Sequence, residues 1–301
     1  MFQLQNRSIF LILFTVLVLV LVAALTRGSI SSCDSAETNI EFDKSVEVNS
    51  QNASKEVLVD FGLRKAGGPR TFSLQYFLNG EQIFVGEDTV LLDCGESKEF
   101  KHELPLEPDD DASLTVFFRQ LPIIPNSYTD KTAEEVLVQP NAASAAYDFT
   151  DFETVFINDG YQYDETETSD INYEYIENPE KISFLFAESS LSGQTLVTEL
   201  EEDVYNFGLY FGESSEDPNE VFTFTCMLND VQIDAFNGNS TWSGKIPERQ
   251  GVVVYGSVEV EEEGWHQLRC VSLNSIFADS ENINYYPYTI LSTYLFKPDA
   301  N

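Results

Sequence analysis

The chain writes nearly the same strand twice. FSLQYFLNGEQI at Phe72–Ile83 returns as FTFTCMLNDVQI at Phe222–Ile233, an offset of about 150 when anchored on Leu78-Asn79 and Leu228-Asn229. The likeness extends both ways. Upstream, Val59–Leu63 (VDFGL) matches Tyr205–Leu209 (YNFGL), and Ile40–Phe42 parallels Ile182–Phe184. Downstream, Leu114–Gln120 parallels Leu268–Asn274, and Val136–Pro140 parallels Tyr294–Pro298. The blocks keep their order while the offset drifts by a few residues, as loops of changing length require, so the chain reads as a duplicated domain.

Both copies alternate apolar and polar residues at the period of a β-strand, clearest in TFSLQYFLNG, SLTVFFRQ, VFTFTCMLND and VVVYGSVEVEEEG. Asn79-Gly80 and Asn229-Asp230 fall between such runs, where a two-residue hairpin needs left-handed backbone. No helical period follows residue 26, so the class is all-β. A length of 301 residues suits two domains of about 100 residues with extensions.

Strands at roughly ten-residue spacing, about seven per copy, resemble the tandem immunoglobulin-like modules of membrane-anchored cell-surface proteins. The resemblance is one of architecture and spans most of Ile40–Pro298. It implies two β-sandwiches, at 39–140 and 182–298, joined by an acidic, aromatic linker at 141–181. It also implies a bridge between Cys226, in the repeated strand, and Cys270, in a late strand, pinning one sheet to the other. The first copy carries Tyr76 and Val116 at those positions, so side-chain volume would fill its core. The chain departs from the pattern at Leu268, where a Tyr would precede the second cysteine by two residues, and at Trp242, which does not fall clearly at the packed core position. Cys33 and Cys94 are left: they pair with each other, or Cys33 is lipidated and Cys94 free, or either links two chains.

The N-terminus bears on location. Ile9–Leu25 holds no charge and as a helix would be about 26 Å long, against a hydrocarbon core of about 30 Å. It exceeds the roughly 7–15 apolar residues of a cleaved signal peptide. Arg7 precedes the run, and Arg27 follows it, trailed by Asp34, Glu37, Glu41 and Asp43, a bias that sets the N-terminus inside. The expectation is a cytoplasmic 1–8, a transmembrane signal anchor at 9–26 and a stalk at 27–38. That makes a single-pass protein of the cell membrane with its C-terminal domains extracytoplasmic. Two rivals stand beside it, a cleaved signal peptide and a lipoprotein. Ile30-Ser31-Ser32-Cys33 resembles a bacterial lipobox, although Arg27 and Gly28 interrupt the apolar approach to it. All three place the remaining chain outside the cytoplasm.

Charge narrows the partners. Asp and Glu number 51 against 16 Lys and Arg, for a net charge of −35. Phosphate neutralisation needs clustered cations, so nucleic acid is excluded and docking on anionic headgroups is disfavoured. A hydrophobic content of 43%, with 23 Phe and 14 Tyr, argues against acidic disorder. The 141–181 segment is not the Gly-, Ser- or Pro-rich run of a plain linker; either it is disordered, with spaced aromatics available to a partner, or, as the favoured reading, it packs a part such as TVFIND as an extra strand on a neighbouring domain. Its Asp148, Asp151, Asp159 and Asp164, like EPDDD at Glu107–Asp111, lack the ligand spacing of an EF-hand. No cofactor is expected, and calcium is the one ion the acids leave open.

His102 and His266 stand apart from any Cys or His at metal-ligand spacing and read as surface or rim imidazoles. The chain has no G-x-S-x-G elbow, P-loop or dinucleotide fingerprint. The expectation is therefore a non-enzyme: a binding or display module that meets a protein at the cell surface. A carbohydrate-binding module is the alternative, with Trp242, Trp265, Tyr285, Tyr286 and Tyr288 as candidate ligand-contact aromatics. A glycan-directed hydrolase would need two carboxylates facing across a cleft.

Overall fold

The computed structural model describes residues 41–299 apart from 52–53, 66–67, 108, 125, 138–149, 159–171, 178–182, 188–196, 213–220, 248–249 and 274–289. The expectations for the 9–26 span, Cys33, Tyr285, Tyr286 and Tyr288 lie outside the described residues. Among the described residues no helix is long and apolar enough to cross a membrane.

The first copy supplies β1 (Glu41–Gln51), β2 (Ser54–Lys65), β3 (Arg70–Leu78), β4 (Glu81–Ile83), β5 (Thr89–Leu92), β6 (Ser97–Leu104) and β7 (Ala112–Leu121). A short helix α1 (Ala133–Leu137) and strand β8 (Thr150–Ile157) follow. β1, β2 and β6 make one sheet in the order β1-β2-β6; the other runs β4-β3-β7-β8, with β5 paired to β3. β9 (Tyr173–Glu177), β10 (Ser183–Ala187), β11 (Val197–Glu199), β12 (Val204–Phe211) and β13 (Val221–Leu228) come next. β14 (Val231–Ile233), β15 (Thr241–Lys245), β16 (Gln250–Glu259), β17 (Gly264–Ser272) and β18 (Ile290–Lys297) complete the chain. Their sheets run β10-β12-β16-β9 and β11-β18-β17-β13-β14, with β15 paired to β13.

In the second copy these two sheets share one core. Tyr205, Phe207 and Leu209 of β12 and Val252 and Val254 of β16 meet Phe222, Phe224, Leu268 and Leu295 of the other sheet. Alternation explains it, because residues two apart share a face. Gly208, between Phe207 and Leu209, shows why the repeated Phe-Gly-Leu keeps its glycine. It lies opposite Phe186, and an added Cβ would come within 2.3 Å of that ring. At the matching Gly62 an added Cβ would meet Ser97 at 3.1 Å.

The repeated hairpins are built alike. Asn79 and Asn229 sit at φ 53° and 49°, followed by Gly80 at 91° and Asp230 at 74°. Each pair closes a two-residue turn, with Leu78 opposite Glu81 and Leu228 opposite Val231. Asn79 donates its backbone N–H to the Ser113 carbonyl and Asn229 donates to that of Gln267. The Asn side chains return the bond, accepting from the N–H of Ser113 at 2.9 Å and of Gln267 at 3.0 Å.

Two readings of the sequence are corrected. Val136–Pro140 is not the counterpart of Tyr294–Pro298: Ala133–Leu137 is helical, and the strand beside β7, where β18 stands beside β17, is β8. The bridge between Cys226 and Cys270 does not join two sheets. Cys226 of β13 lies directly opposite Cys270 of its neighbour β17, with Cα atoms 4.0 Å apart. The carbonyls of Gln267 and Thr223 accept from Asn229 and Leu273, which sets the hydrogen-bonded rows and leaves the two cysteines in a closely spaced, non-bonded pair. The segment 141–181 supplies a strand to each copy, β8 beside β7 and β9 beside β16.

The chain divides into two compact units that do not follow the repeat. The smaller gathers the described part of Met1–Ser45 with Val59–Thr71 and Val90–Phe100. There Phe42 stacks on Phe61, and Gly95 donates to the Leu63 carbonyl while Leu63 donates to that of Glu96. The larger gathers Val46–Leu58, Phe72–Thr89 and Lys101–Asn301, and so joins most of the first copy's β3 and β7 to the whole second copy.

Candidate functional site

The larger unit holds a seam between the copies. Phe77 and its repeat counterpart Met227 pack with Phe117 and its counterpart Val271, alongside Leu273. At the rim Gln82 and its counterpart Gln232 are reciprocal: each donates its backbone N–H to the other's Oε1, at 2.8 and 2.7 Å. The exchange has the form of a local two-fold axis.

Inside the seam lie two arginines, Arg119 of β7 and Arg269 of β17, 0% and 1% exposed. Both reach one carboxylate oxygen of Asp230: Arg119 is ion-paired to it, and Arg269 lies at 3.3 Å. Arg119 also donates to Gln267, and Arg269 to Gln75. Gln75 and Gln82 in turn donate to the Asp230 carbonyl at 3.1 and 2.8 Å. Sequence reasoning passed over these residues, yet a signal was present. Each arginine interrupts a near-continuous apolar run, VFFRQ and LRCVS, the mark of a strand covered on both faces. A buried cation of this kind needs a counter-ion nearby.

The nominated residues fare differently. Trp242 is 1% exposed. It stacks on Phe224 at 5.6 Å in the second copy's core and offers no face to a ligand. Trp265 is half-buried against Tyr128 and Phe296 and donates its indole N–H to the Lys131 carbonyl at 2.8 Å. His266 is buried rather than at a rim: Nε2 donates to the Glu262 carbonyl, which leaves Nδ1 to accept from Asn229. His102 stacks on Phe84 and meets Asp88 at 2.6 Å. The same Asp88 oxygen accepts from Tyr76, whose hydroxyl is held protonated far above its ordinary range by burial and by the adjacent Asp88 and Glu87 carboxylates. Tyr76 is 0% exposed, while His102 and Phe84 are part-buried. Cys94 is half-buried and is not a free thiol. Among the described residues no group of three or more His, Cys, Asp or Glu is disposed to hold a metal.

The smaller unit carries a cleft of about 310 Å³, lined by Asp43, Asp60, Arg64 and Glu96 among others. Arg64 clamps Asp43 through two contacts of 2.5 Å. Among the described residues that line the cleft there is no aromatic ring.

Among the described residues β8 is one of several strands that end a sheet. It pairs with β7 from Ala112↔Ile157 to Arg119↔Thr150, and no described strand pairs with its other side. Ser113 spends both its N–H and its C=O on Asn79. The pair Ser113↔Phe156 is therefore a non-bonded one, and the backbone groups of Phe156 point away from β7. By the two-residue period those of Thr154 do the same. The Thr115 and Thr154 hydroxyls, 2.9 Å apart, fit such a closely spaced pair. Phe156 is 49% exposed. The surroundings are acidic: Asp109, Asp110 and Asp111 are exposed at the Ile157 end, where Asn158 donates to the Asp110 carbonyl at 2.8 Å.

No family model matches the sequence, and no curated protein matches it. Among solved structures the chain is similar to a red sea bream transglutaminase at 9% identity and TM-score 0.21, covering 85% of this chain and 31% of that one. It therefore spans about a third of that enzyme's length. It is also similar to the CupB6 tip adhesin of Pseudomonas aeruginosa at 8% identity and TM-score 0.19, covering 86% and 99%. A third likeness is to the collagen adhesin CNA of S. aureus, at 8% identity and TM-score 0.21, covering 90% and 97%. At TM-scores of 0.19 to 0.21 these likenesses carry no argument about this chain.

Proposed function

We propose that the chain is a non-catalytic binding or display module that meets a protein partner, held outside the cytoplasm by its N-terminal apolar span. The observation that carries the reading is the edge of β8 with which no described strand pairs, where outward backbone groups stand beside the exposed Phe156. Such an edge is a template for another chain unless it is covered. The Cys226–Cys270 bridge supports an oxidising, extracytoplasmic setting. The burial of Trp242 removes one of the aromatics on which a glycan-binding reading depends. The test is a photo-reactive phenylalanine analogue at position 156 of the full chain in its native membranes, with the same analogue at the buried Phe207 as control. A discrete protein adduct at 156 alone supports the reading. Absence of any adduct, with specific glycan-array binding by the same chain, would overturn it.

A further inference from the structure

We infer that the open edge of β8 takes an extended, lysine- or arginine-bearing strand of a partner protein, paired through the main chain. The inference rests on the protein-binding reading above and names the class of partner. Geometry supplies the first half of the argument. Thr154 and Phe156 present N–H and C=O groups outward at the two-residue spacing of a β ladder, while Glu153, Val155 and Ile157 are turned to β7. A strand added there gains hydrogen bonds along the edge and an apolar contact with Phe156.

Charge supplies the second half. Asp109, Asp110 and Asp111 are exposed beside the end of β8. The chain carries −35 in all. A second copy would bring the same charge to the same edge, and like charges at an interface repel. A strand alternating basic and apolar residues sets its cations toward the acids and its apolar side chains on Phe156. Screening over about 8 Å at physiological ionic strength makes such pairing sensitive to salt.

The experiment titrates two synthetic octapeptides, alternating Lys–Val and alternating Glu–Val, into the full chain and reads binding by calorimetry. The Lys–Val peptide is expected to bind and to weaken in high salt, and the Glu–Val peptide not to bind. Thr154→Pro removes an outward N–H and none from the β7 ladder, a position where an edge strand accepts proline. It is expected to weaken Lys–Val binding about tenfold, the equivalent of one hydrogen bond. Phe156→Lys leaves the backbone intact and is expected to weaken it by a similar factor, which keeps the test open if the proline variant fails to fold. Equal binding of both peptides, or unchanged binding in both variants, would overturn the inference. So would a concentration-dependent dimer abolished by Thr154→Pro, since the edge would then take a second copy. A protein adduct at position 156 without Lys–Val binding overturns this inference and leaves the protein-binding reading standing; neither adduct nor binding overturns both.

Discussion

Replacing Asp230 by glycine tests whether the seam depends on the carboxylate that both buried arginines share. The first copy has Gly80 at the matching turn position, with φ 91° against 74° at Asp230, so the backbone of Asp230→Gly has a precedent inside the same molecule. What the substitution removes is the charge. Arg119 and Arg269, 0% and 1% exposed, would keep their glutamine partners and lose their counter-ion. Breaking a buried ion pair from one side costs about 3–5 kcal/mol, because an uncompensated buried charge is left behind. With a urea slope near the upper end of the usual range, about 3 kcal/mol per molar, the midpoint should fall by roughly 1–1.7 M. Tryptophan fluorescence would follow the transition through Trp242 and Trp265. In the Asp230→Gly background, Arg119→Met with Arg269→Met removes the stranded charges at similar volume and should restore most of the loss. Asp230→Gly within about 1 kcal/mol of the parent would refute the account, since the arginines would then be finding water or another anion.

Three further outcomes follow from the same geometry. Cys226→Ala with Cys270→Ala opens a loop spanning 44 residues, and chain entropy alone puts the loss near 4 kcal/mol by chemical denaturation; a loss below about 1 kcal/mol would contradict that. Gly208→Ala drives a methyl into the Phe186 ring and should cost about 1–3 kcal/mol as an overpacked core site, read as a fall in Tm. Tyr76, Tyr128 and Tyr205 all have hydroxyls raised above the ordinary value of 10.0, each chiefly by burial. Above pH 10 the unfolded chain therefore releases protons that the native chain retains, and stability falls as pH rises. The slope is at most about 1.4 kcal/mol per pH unit for each tyrosine; a urea midpoint equal at pH 9 and pH 11 would contradict this.

Much of the fold was written locally, and what was missed depends on register. Asn79-Gly80 and Asn229-Asp230 announce their hairpins because left-handed backbone is a local requirement. The Phe-Gly-Leu block repeats because the glycine is crowded by Phe186 in one copy and by Ser97 in the other. The disulfide partners were implied by the immunoglobulin-like resemblance, whereas their lying side by side in one sheet follows from which strands pair, and no local pattern states that. The strand beside β7 was missed for a related reason. An acidic segment far along the chain, TDFETVFI, supplies it, while the nearer VLVQP begins in α1. Of the candidate edge, TVFIND was legible as one of two readings of its segment, an extra strand; that the backbone groups of Phe156 point away from β7 comes only from the way Ser113 is occupied by Asn79.

Duplication accounts for both the buried arginines and the exposed edge. A lone copy would leave the outer faces of β3 and β7 to water, and Phe77, Phe117 and Arg119 would read there as an apolar patch with a stray cation. In the larger unit Met227, Val271 and Leu273 cover that face, which is why β7 is buried through eight successive residues. The reciprocal Gln82–Gln232 bonds likewise occupy groups on β4 and β14, the short strands ending their sheets. Covering by a second copy thus reaches Phe77 and Phe117 on that face and Gln82 and Gln232 at those ends. It does not reach β8, because β8 comes from the segment between the repeats and pairs on the far side of β7 from β3. Among the described residues no strand pairs with that edge, and the acids beside it and the aromatic ring upon it are the features on which the proposed partner strand rests.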